Sequence, residues 1–229
     1  MCVMLAVNLP GAHAAESVRT QEINQCRSGE VTTWGDGKDR PASSILLKFT
    51  YNPAGAPDRF AEPLVKGMVT KAAAEWSQCG VRGVVVGWDR TRSQQQDSIT
   101  VQWSEKDSGG NFGLAHLGKR TLTLGPKAFE LLRTRNPAYD ARETLQLVIS
   151  HEMGHFFGLM AHSRRCVDVL SYYDNGKGEK CYSRDPTQIH SVQEYRYTLP
   201  TACDIERCRK INGMPPLAEG RLQGQPRSK

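Results

Sequence analysis

His151-Glu152-Met153-Gly154-His155 sets two imidazoles four residues apart in a stretch whose apolar residues follow helical spacing. The periodicity predicts a helix from about Ala141 to Phe157, with Leu145, Val148, Ile149, Gly154 and Phe156 on its buried side. Residues i and i+4 share a helical face, so both imidazoles can reach one cation, at nitrogen to zinc distances of about 2.0–2.1 Å. Zinc suits such a pair because it takes nitrogen ligands tetrahedrally and leaves a position open for water. Glu152 points toward that position. Its carboxylate can take a proton from a water whose pKa the metal lowers to about 7, and deliver it to a leaving group. Just beyond, Gly158 can adopt the left-handed backbone that turns a chain sharply, and His162 follows as a third imidazole able to fold back onto the ion.

The rest of the chain must present that helix beside a cleft. Ile45 to Tyr51 alternates as a strand, and Asn52 to Pro57 is a loop. From Phe60 to Gln78 the residues Leu64, Met68, Ala72 and Trp76 recur every four positions, predicting an amphipathic helix capped at Gly80. Val81–Trp88 and Ser98–Trp103 read as strands on either side of the polar stretch from Asp89 to Asp97. A strand, turn and second strand follow through Gly113-Leu114-Ala115-His116 and Thr121–Leu124, then a short helix over Lys127–Arg133. No internal repeat occurs.

At 229 residues and 38% hydrophobic, the chain is long enough for one substantial core. The formal charge of +6 comes from basic residues scattered among 24 acidic ones, which argues against a nucleic-acid-binding surface. No apolar stretch approaches the ~20 residues that cross a bilayer.

Residues 1–14 read as a secretory leader: the apolar run from Cys2 to Leu9 precedes Ala12-His13-Ala14, a small-x-small pattern that signal peptidase cuts after. Residues 15–41 form a polar, glycine-rich N-terminal extension, 42–213 the main domain, and 214–229 a disordered basic tail. Loss of the leader removes Cys2 and leaves Cys26, Cys79, Cys166, Cys181, Cys203 and Cys208, an even number suited to three disulfides in a secreted or periplasmic protein. Six cysteines allow fifteen pairings. Proximity along the chain favours Cys166 with Cys181 and Cys203 with Cys208, leaving Cys26 for Cys79.

The segment from His151 to His162 resembles the HExxHxxGxxH signature of the metzincin clan of metalloproteases, and of its matrixin-like secreted enzymes in particular. Here the last histidine lies one residue beyond the signature position, which Ala161 occupies. Either a one-residue bulge after Gly158 restores His162 as third ligand, or another group completes the shell; the nearest carboxylate is Asp168. Val169-Leu170-Ser171-Tyr172 resembles the clan's Met-turn, with Leu170 in the methionine's place. A similar volume lets Leu170 serve as the same apolar base. Tyr172 falls where some members carry a tyrosine that binds metal or donates to an oxyanion; a packed turn aromatic is the alternative.

Gly113, Leu114 and Ala115 resemble the edge strand that pairs antiparallel with a substrate backbone, with His116 as a further edge residue. Leu199 to Ile205 resembles the start of the clan's C-terminal helix, with Asp204 near its N-terminus.

The resemblance implies an α+β, metzincin-like zincin: a twisted, largely parallel mixed sheet with an antiparallel edge strand, two long helices and a C-terminal helix. It also implies a zinc-dependent endopeptidase acting on extracellular or periplasmic proteins or peptides. Such an enzyme is expected to be monomeric, with neither nucleic acid nor membrane as partner, and the loop from Cys166 to Arg196 is expected to line its specificity pocket. The rival reading is a zinc-bearing domain with impaired turnover that binds an extracellular protein.

Overall fold

The computed structural model describes residues 16–88, 97–138, 140–172, 174–189 and 195–218. The proposed leader, nearly all of the polar stretch after Trp88, and the end of the basic tail lie outside them. Five strands form one mixed sheet in the order β2-β1-β3-β5-β4. They are β1 (Leu46–Tyr51), β2 (Arg82–Val85), β3 (Ser98–Trp103), β4 (Gly113–His116) and β5 (Thr121–Leu124). β1 pairs parallel with β2 and β3, and β3 pairs parallel with β5. A parallel pair needs a long crossover, and α2 (Glu62–Trp76) supplies the one between β1 and β2. β4 reaches β5 through a tight turn and so pairs antiparallel, as the edge of the sheet. This is the expected α+β zincin architecture.

Two long helices cover the sheet. α2 ends in a 3-10 turn, Ser77–Cys79, closed by Gly80 at φ 91°. Its buried stripe is Val65, Val69, Ala72, Ala73 and Trp76, whereas the expected Leu64 and Met68 are only partly buried. Each four-residue step overshoots a full turn by roughly 40°, so a strict four-residue repeat drifts off any one face, while alternate steps of three and four stay on it.

α5 (Ala141–Phe156) carries the histidine motif, with Asp140 accepting from the Arg142 N–H at its start. α5 packs on α2 through Trp76, whose indole N–H donates to the Ser150 carbonyl at 2.8 Å. The Trp76 ring stacks on Phe157, and Phe157 on Phe49 of β1, joining the helices to the sheet. Gly154 is required there, because a Cβ would lie 2.7 Å from Cζ2 of Trp76. Shorter helices α3 (Glu105–Ser108) and α4 (Pro126–Arg135) flank β4 and β5 in the chain.

The final helix, α6 (Ala202–Ile211), begins with a capping box in which Thr201 and Asp204 satisfy each other's backbone N–H groups. Its two cysteines correct the short-range pairing scheme: the disulfides are Cys26–Cys203, Cys79–Cys208 and Cys166–Cys181. Cys203 and Cys208 are five residues apart on one helix, hence about 140° apart around its axis, and their side chains diverge. Each reaches a different element, Cys203 the N-terminal segment and Cys208 the end of α2.

The N-terminal segment is built into the domain. α1 (Val18–Asn24) is capped by Ser17. After Cys26 the chain runs beside the loop that follows α5: Trp34 N–H donates to the His162 carbonyl at 2.9 Å and Arg40 N–H to the Gly158 carbonyl at 3.0 Å. Below them lies the fully buried Arg165, which donates to Asp168 at 3.0 Å and to the Glu22 carbonyl at 3.0 Å. Asp168 also accepts from Ser163 and Thr201, so this carboxylate is committed to the interior.

Candidate metal centre

At the end of α5 the chain turns through Gly158 at φ 107°. A Cβ at Gly158 would lie 2.2 Å from the Arg40 carbonyl oxygen, so the turn needs glycine on both conformational and steric grounds. The extra residue before His162 is taken up by Met160 and Ala161, whose consecutive N–H groups both donate to Oδ1 of Asp39, at 2.8 and 3.0 Å. Asp39 is held in turn by the Arg207 guanidinium of α6 at 2.6 and 2.7 Å. With the bulge clamped in this way, one nitrogen from each of His151, His155 and His162 comes within 4.8 Å of the others.

Every imidazole is oriented by a partner on its other nitrogen. Nδ1 of His151 meets the Val169 carbonyl at 2.9 Å, and Nδ1 of His155 the Leu159 carbonyl at 2.7 Å. Nδ1 of His162 meets Asp36 Oδ2 at 2.7 Å, while the His162 backbone N–H donates to Asp36 Oδ1 at 2.9 Å. A carbonyl or carboxylate can only accept, so each Nδ1 carries the proton and each Nε2 presents a lone pair. Two such lone pairs face each other at 3.2 Å, between His151 and His162. That repulsive arrangement is relieved by a cation between them. A tetrahedral ion with nitrogen ligands at about 2.0–2.1 Å separates its donors by roughly 3.3–3.4 Å, close to this spacing.

Burial favours the neutral, metal-ligating form of all three. It holds His151 well below its ordinary value, with the neighbouring His155 and His162 adding to the effect. Burial likewise brings His155 down to about 4 and lowers His162 despite the opposing Asp36. The donor set therefore fits a divalent metal ion of zinc type.

Val169 and Leu170 are fully buried, and Cδ1 of Leu170 lies beside Gly154 of α5. Tyr172 is 43% exposed, and its ring stacks on His162 with centroids 3.7 Å apart. Glu152 stands beside β4, where one carboxylate oxygen accepts the Ala115 N–H at 2.9 Å. Burial pushes the Glu152 carboxyl up to about 7, with the Ala115 hydrogen bond opposing it. Gly113 permits this closeness, since a Cβ there would sit 2.8 Å from Cγ of Glu152 and 2.4 Å from Cγ1 of Val148. Leu114 lies between them on the strand, and His116 bonds through Nε2 to the Asp107 carbonyl at 2.9 Å.

A cavity of about 600 Å³ opens beside His151, Glu152 and Tyr172. Its walls come from Phe112, Leu132, Leu147 and Val148, with Arg19 and Arg196 to Thr198. From the loop expected to line it, Tyr172 and Arg196 do so, while the remainder of the wall comes from α1, α4, α5, the stretch from Asn111 to Gly113, and Tyr197 and Thr198. The sequence reading missed Asp36 and Asp39. Both sit in a polar loop without periodicity, and the aspartate enclosed by Gly35 and Gly37 is the one local hint.

No curated protein matches the chain in sequence. Among solved structures, one described as the GM1 bound form of the ECX AB5 holotoxin matches with a TM-score of 0.48 and 12% identity, over 77% of this chain and 87% of that one. The sequence resemblance pointed to matrixin-like enzymes, whereas the family matched is the one described as metallo-peptidase family M12B, reprolysin-like. That match runs over residues 63–196, more than half of the chain, and takes in all of α2 but its first residue, the whole motif helix and Tyr172. A metallopeptidase family of this kind implies peptide or protein substrates. With three histidines gathered in its matched region, this chain belongs to the reprolysin-like M12B metallopeptidases.

Proposed function

We propose that the protein is a zinc-dependent endopeptidase, with His151, His155 and His162 holding the metal and Glu152 as general base. The observation that supports it most is the convergence of three lone-pair nitrogens next to Glu152, at the mouth of a cavity of about 600 Å³. Zinc, when bound, supplies Lewis-acid polarisation of water and of the scissile carbonyl. Glu152, raised by burial, would ionise more readily with a cation held by the neighbouring imidazoles. Glu152 then takes a proton from the attacking water and passes it to the leaving amine.

Tyr172, stacked on His162 and facing the same cavity, donates its hydroxyl to the oxyanion as it develops. Burial, with the nearby Glu152 charge, raises Tyr172 above its ordinary value, so the phenol keeps its proton. The edge of β4 at Gly113, Leu114 and Ala115 pairs with an extended substrate backbone, a mode of recognition that needs little side-chain identity.

The rival reading of an impaired binding domain drew on the displaced His162 and the absent methionine. Against it stand the Asp39 clamp that accommodates the displacement, the buried packing of Leu170, and the retention of Glu152 beside the cluster. The three disulfides fit folding in an oxidising compartment, and secretion or periplasmic export of a monomer is part of the proposal. Among the described residues no helix is long and apolar enough to cross a membrane.

Metal analysis together with hydrolysis of casein tests the reading. Glu152→Gln is expected to keep its zinc and lose at least about a hundredfold in rate. His162→Ala is expected to lose much of its zinc. Undiminished hydrolysis by Glu152→Gln rejects the mechanism, and full metal occupancy in His162→Ala rejects the third ligand.

A further inference from the structure

A second cavity, of about 410 Å³, opens beside His155, on a different side of the histidine cluster from the one lined by His151 and Glu152. Ile99, Leu117 and Phe156 give it apolar walls, and Arg40 and Arg120 are the two cationic residues that line it. No carboxylate lines it. Among the described residues neither arginine forms an ion pair: Arg120 donates one Nη to the Asp97 backbone carbonyl at 2.8 Å, and its Nε is buried without a hydrogen-bond partner. Arg120 is also the one non-glycine residue with positive φ among the described residues, at 53°, in the turn between β4 and β5. A strained backbone that sets a partly buried cation beside a cavity, with no carboxylate partner among the described residues, is a feature expected where function offsets the cost.

We infer that this cavity is a subsite for an acidic side chain of the substrate, on the N-terminal side of the cleaved bond. The inference rests on the proposed endopeptidase reading. A substrate lying antiparallel to β4 enters at the His116 end and leaves at the Gly113 end. Leu117 and Arg120 follow His116, so the residues before the cleaved bond pass the cationic cavity. Asn111, Phe112 and Gly113 border the larger cavity, which receives the residues after that bond. Glutamate suits the first position: its methylenes lie against Ile99, Leu117 and Phe156, and its carboxylate meets Arg120 and Arg40 in charge-assisted hydrogen bonds.

The test uses quenched fluorogenic peptides that differ solely by Glu, Gln or Lys at each of three positions on either side of the cleaved bond. Turnover is measured with the zinc-loaded protein. Affinity is measured by fluorescence anisotropy with the zinc-loaded Glu152→Gln protein, where no cleavage is needed. Glu is expected to exceed Gln by roughly tenfold in both readouts, at a position upstream of the cleaved bond. The ratio, taken within each protein, is expected to fall toward one in Arg40→Gln and in Arg120→Asn, the latter chosen because asparagine tolerates positive φ. In Arg40→Glu combined with Arg120→Asn, Lys is expected to overtake Glu. Equal handling of Glu, Gln and Lys, a ratio indifferent to the arginine substitutions, or a preference located downstream overturns the subsite. Should Glu-containing peptides bind preferentially without being cleaved, the subsite stands and the endopeptidase reading fails; if all peptides are cleaved alike, the reverse holds.

Discussion

Replacing Asp36 by alanine removes both acceptors that orient His162, one on its Nδ1–H at 2.7 Å and one on its backbone N–H at 2.9 Å. Without the carboxylate, His162 can protonate Nε2 instead of Nδ1 and withdraw its lone pair from the metal. Partners of this kind contribute about 10–100-fold to metal affinity. The Asp36 side chain is 36% exposed, so water replaces part of what is lost and the expected effect of Asp36→Ala is near the lower end, about tenfold in zinc Kd.

Asparagine sharpens the argument. It offers one acceptor where two are used, and its amide N–H can donate to Nδ1, which stabilises the tautomer that cannot bind metal. Asp36→Asn is therefore expected to weaken zinc at least as much as Asp36→Ala, although it is closer in shape. Competition against a chromophoric chelator at neutral pH measures the Kd, and thermal unfolding of the apo proteins controls for loss of fold. Wild-type affinity in Asp36→Ala, with the fold intact, refutes the reasoning; an Asn variant that binds like wild type while Ala does not refutes the tautomer argument.

Gly154→Ala places a methyl 2.7 Å from Trp76 and 3.2 Å from Leu170. Overpacking of about 1–3 kcal/mol, offset by about 1 kcal/mol of helix propensity, leaves a net cost of up to about 2 kcal/mol and lowers Tm by up to about 8 °C in a calorimetric scan. Removing Cys79–Cys208, which spans 129 residues, is expected to cost about 5 kcal/mol, and removing Cys166–Cys181, which spans 15, about 3 kcal/mol. Non-reducing peptide maps of the wild type check the pairing, and denaturant titration of paired serine variants checks the order.

Asp39 governs part of the acid response. Burial alone would raise it, but Arg207 and the N–H groups of Ala161 and Met160 more than compensate and hold it below its ordinary 3.8. A folded value beneath the unfolded one gives stability that is present above the unfolded value and is lost as pH falls through the folded one. The stability gap between wild type and Asp39→Asn is thus expected to stay constant above about pH 5 and to close below about pH 4, as read by urea unfolding across pH.

What could be read from residues alone was local. His151, Glu152 and His155 declared themselves because a helix repeats its face every three or four residues, and the strands because theirs alternates. β3 falls on Ser98–Trp103 as expected, and α5 ends one residue early. Periodicity said less about α2, where Ala72 and Trp76 are buried as expected but Val65 and Val69 take the places expected of Leu64 and Met68. Neither Asp36 nor Asp39 carried any periodic sign, since their partners lie more than a hundred residues away.

Residue order by itself determined which side chains could carry the chemistry: two imidazoles on one helical face, a carboxylate between them, a glycine turn and a third imidazole after it. Tertiary structure decided whether the third imidazole arrives, through an aspartate that grips the bulge at Met160 and Ala161 and another that turns His162. It also decided the disulfide partners, because two cysteines five apart on a helix face away from each other whatever their nearness in sequence. Short-range geometry follows from backbone repeat alone. Contacts between distant segments depend on how whole elements pack, and no short stretch of residues contains that information.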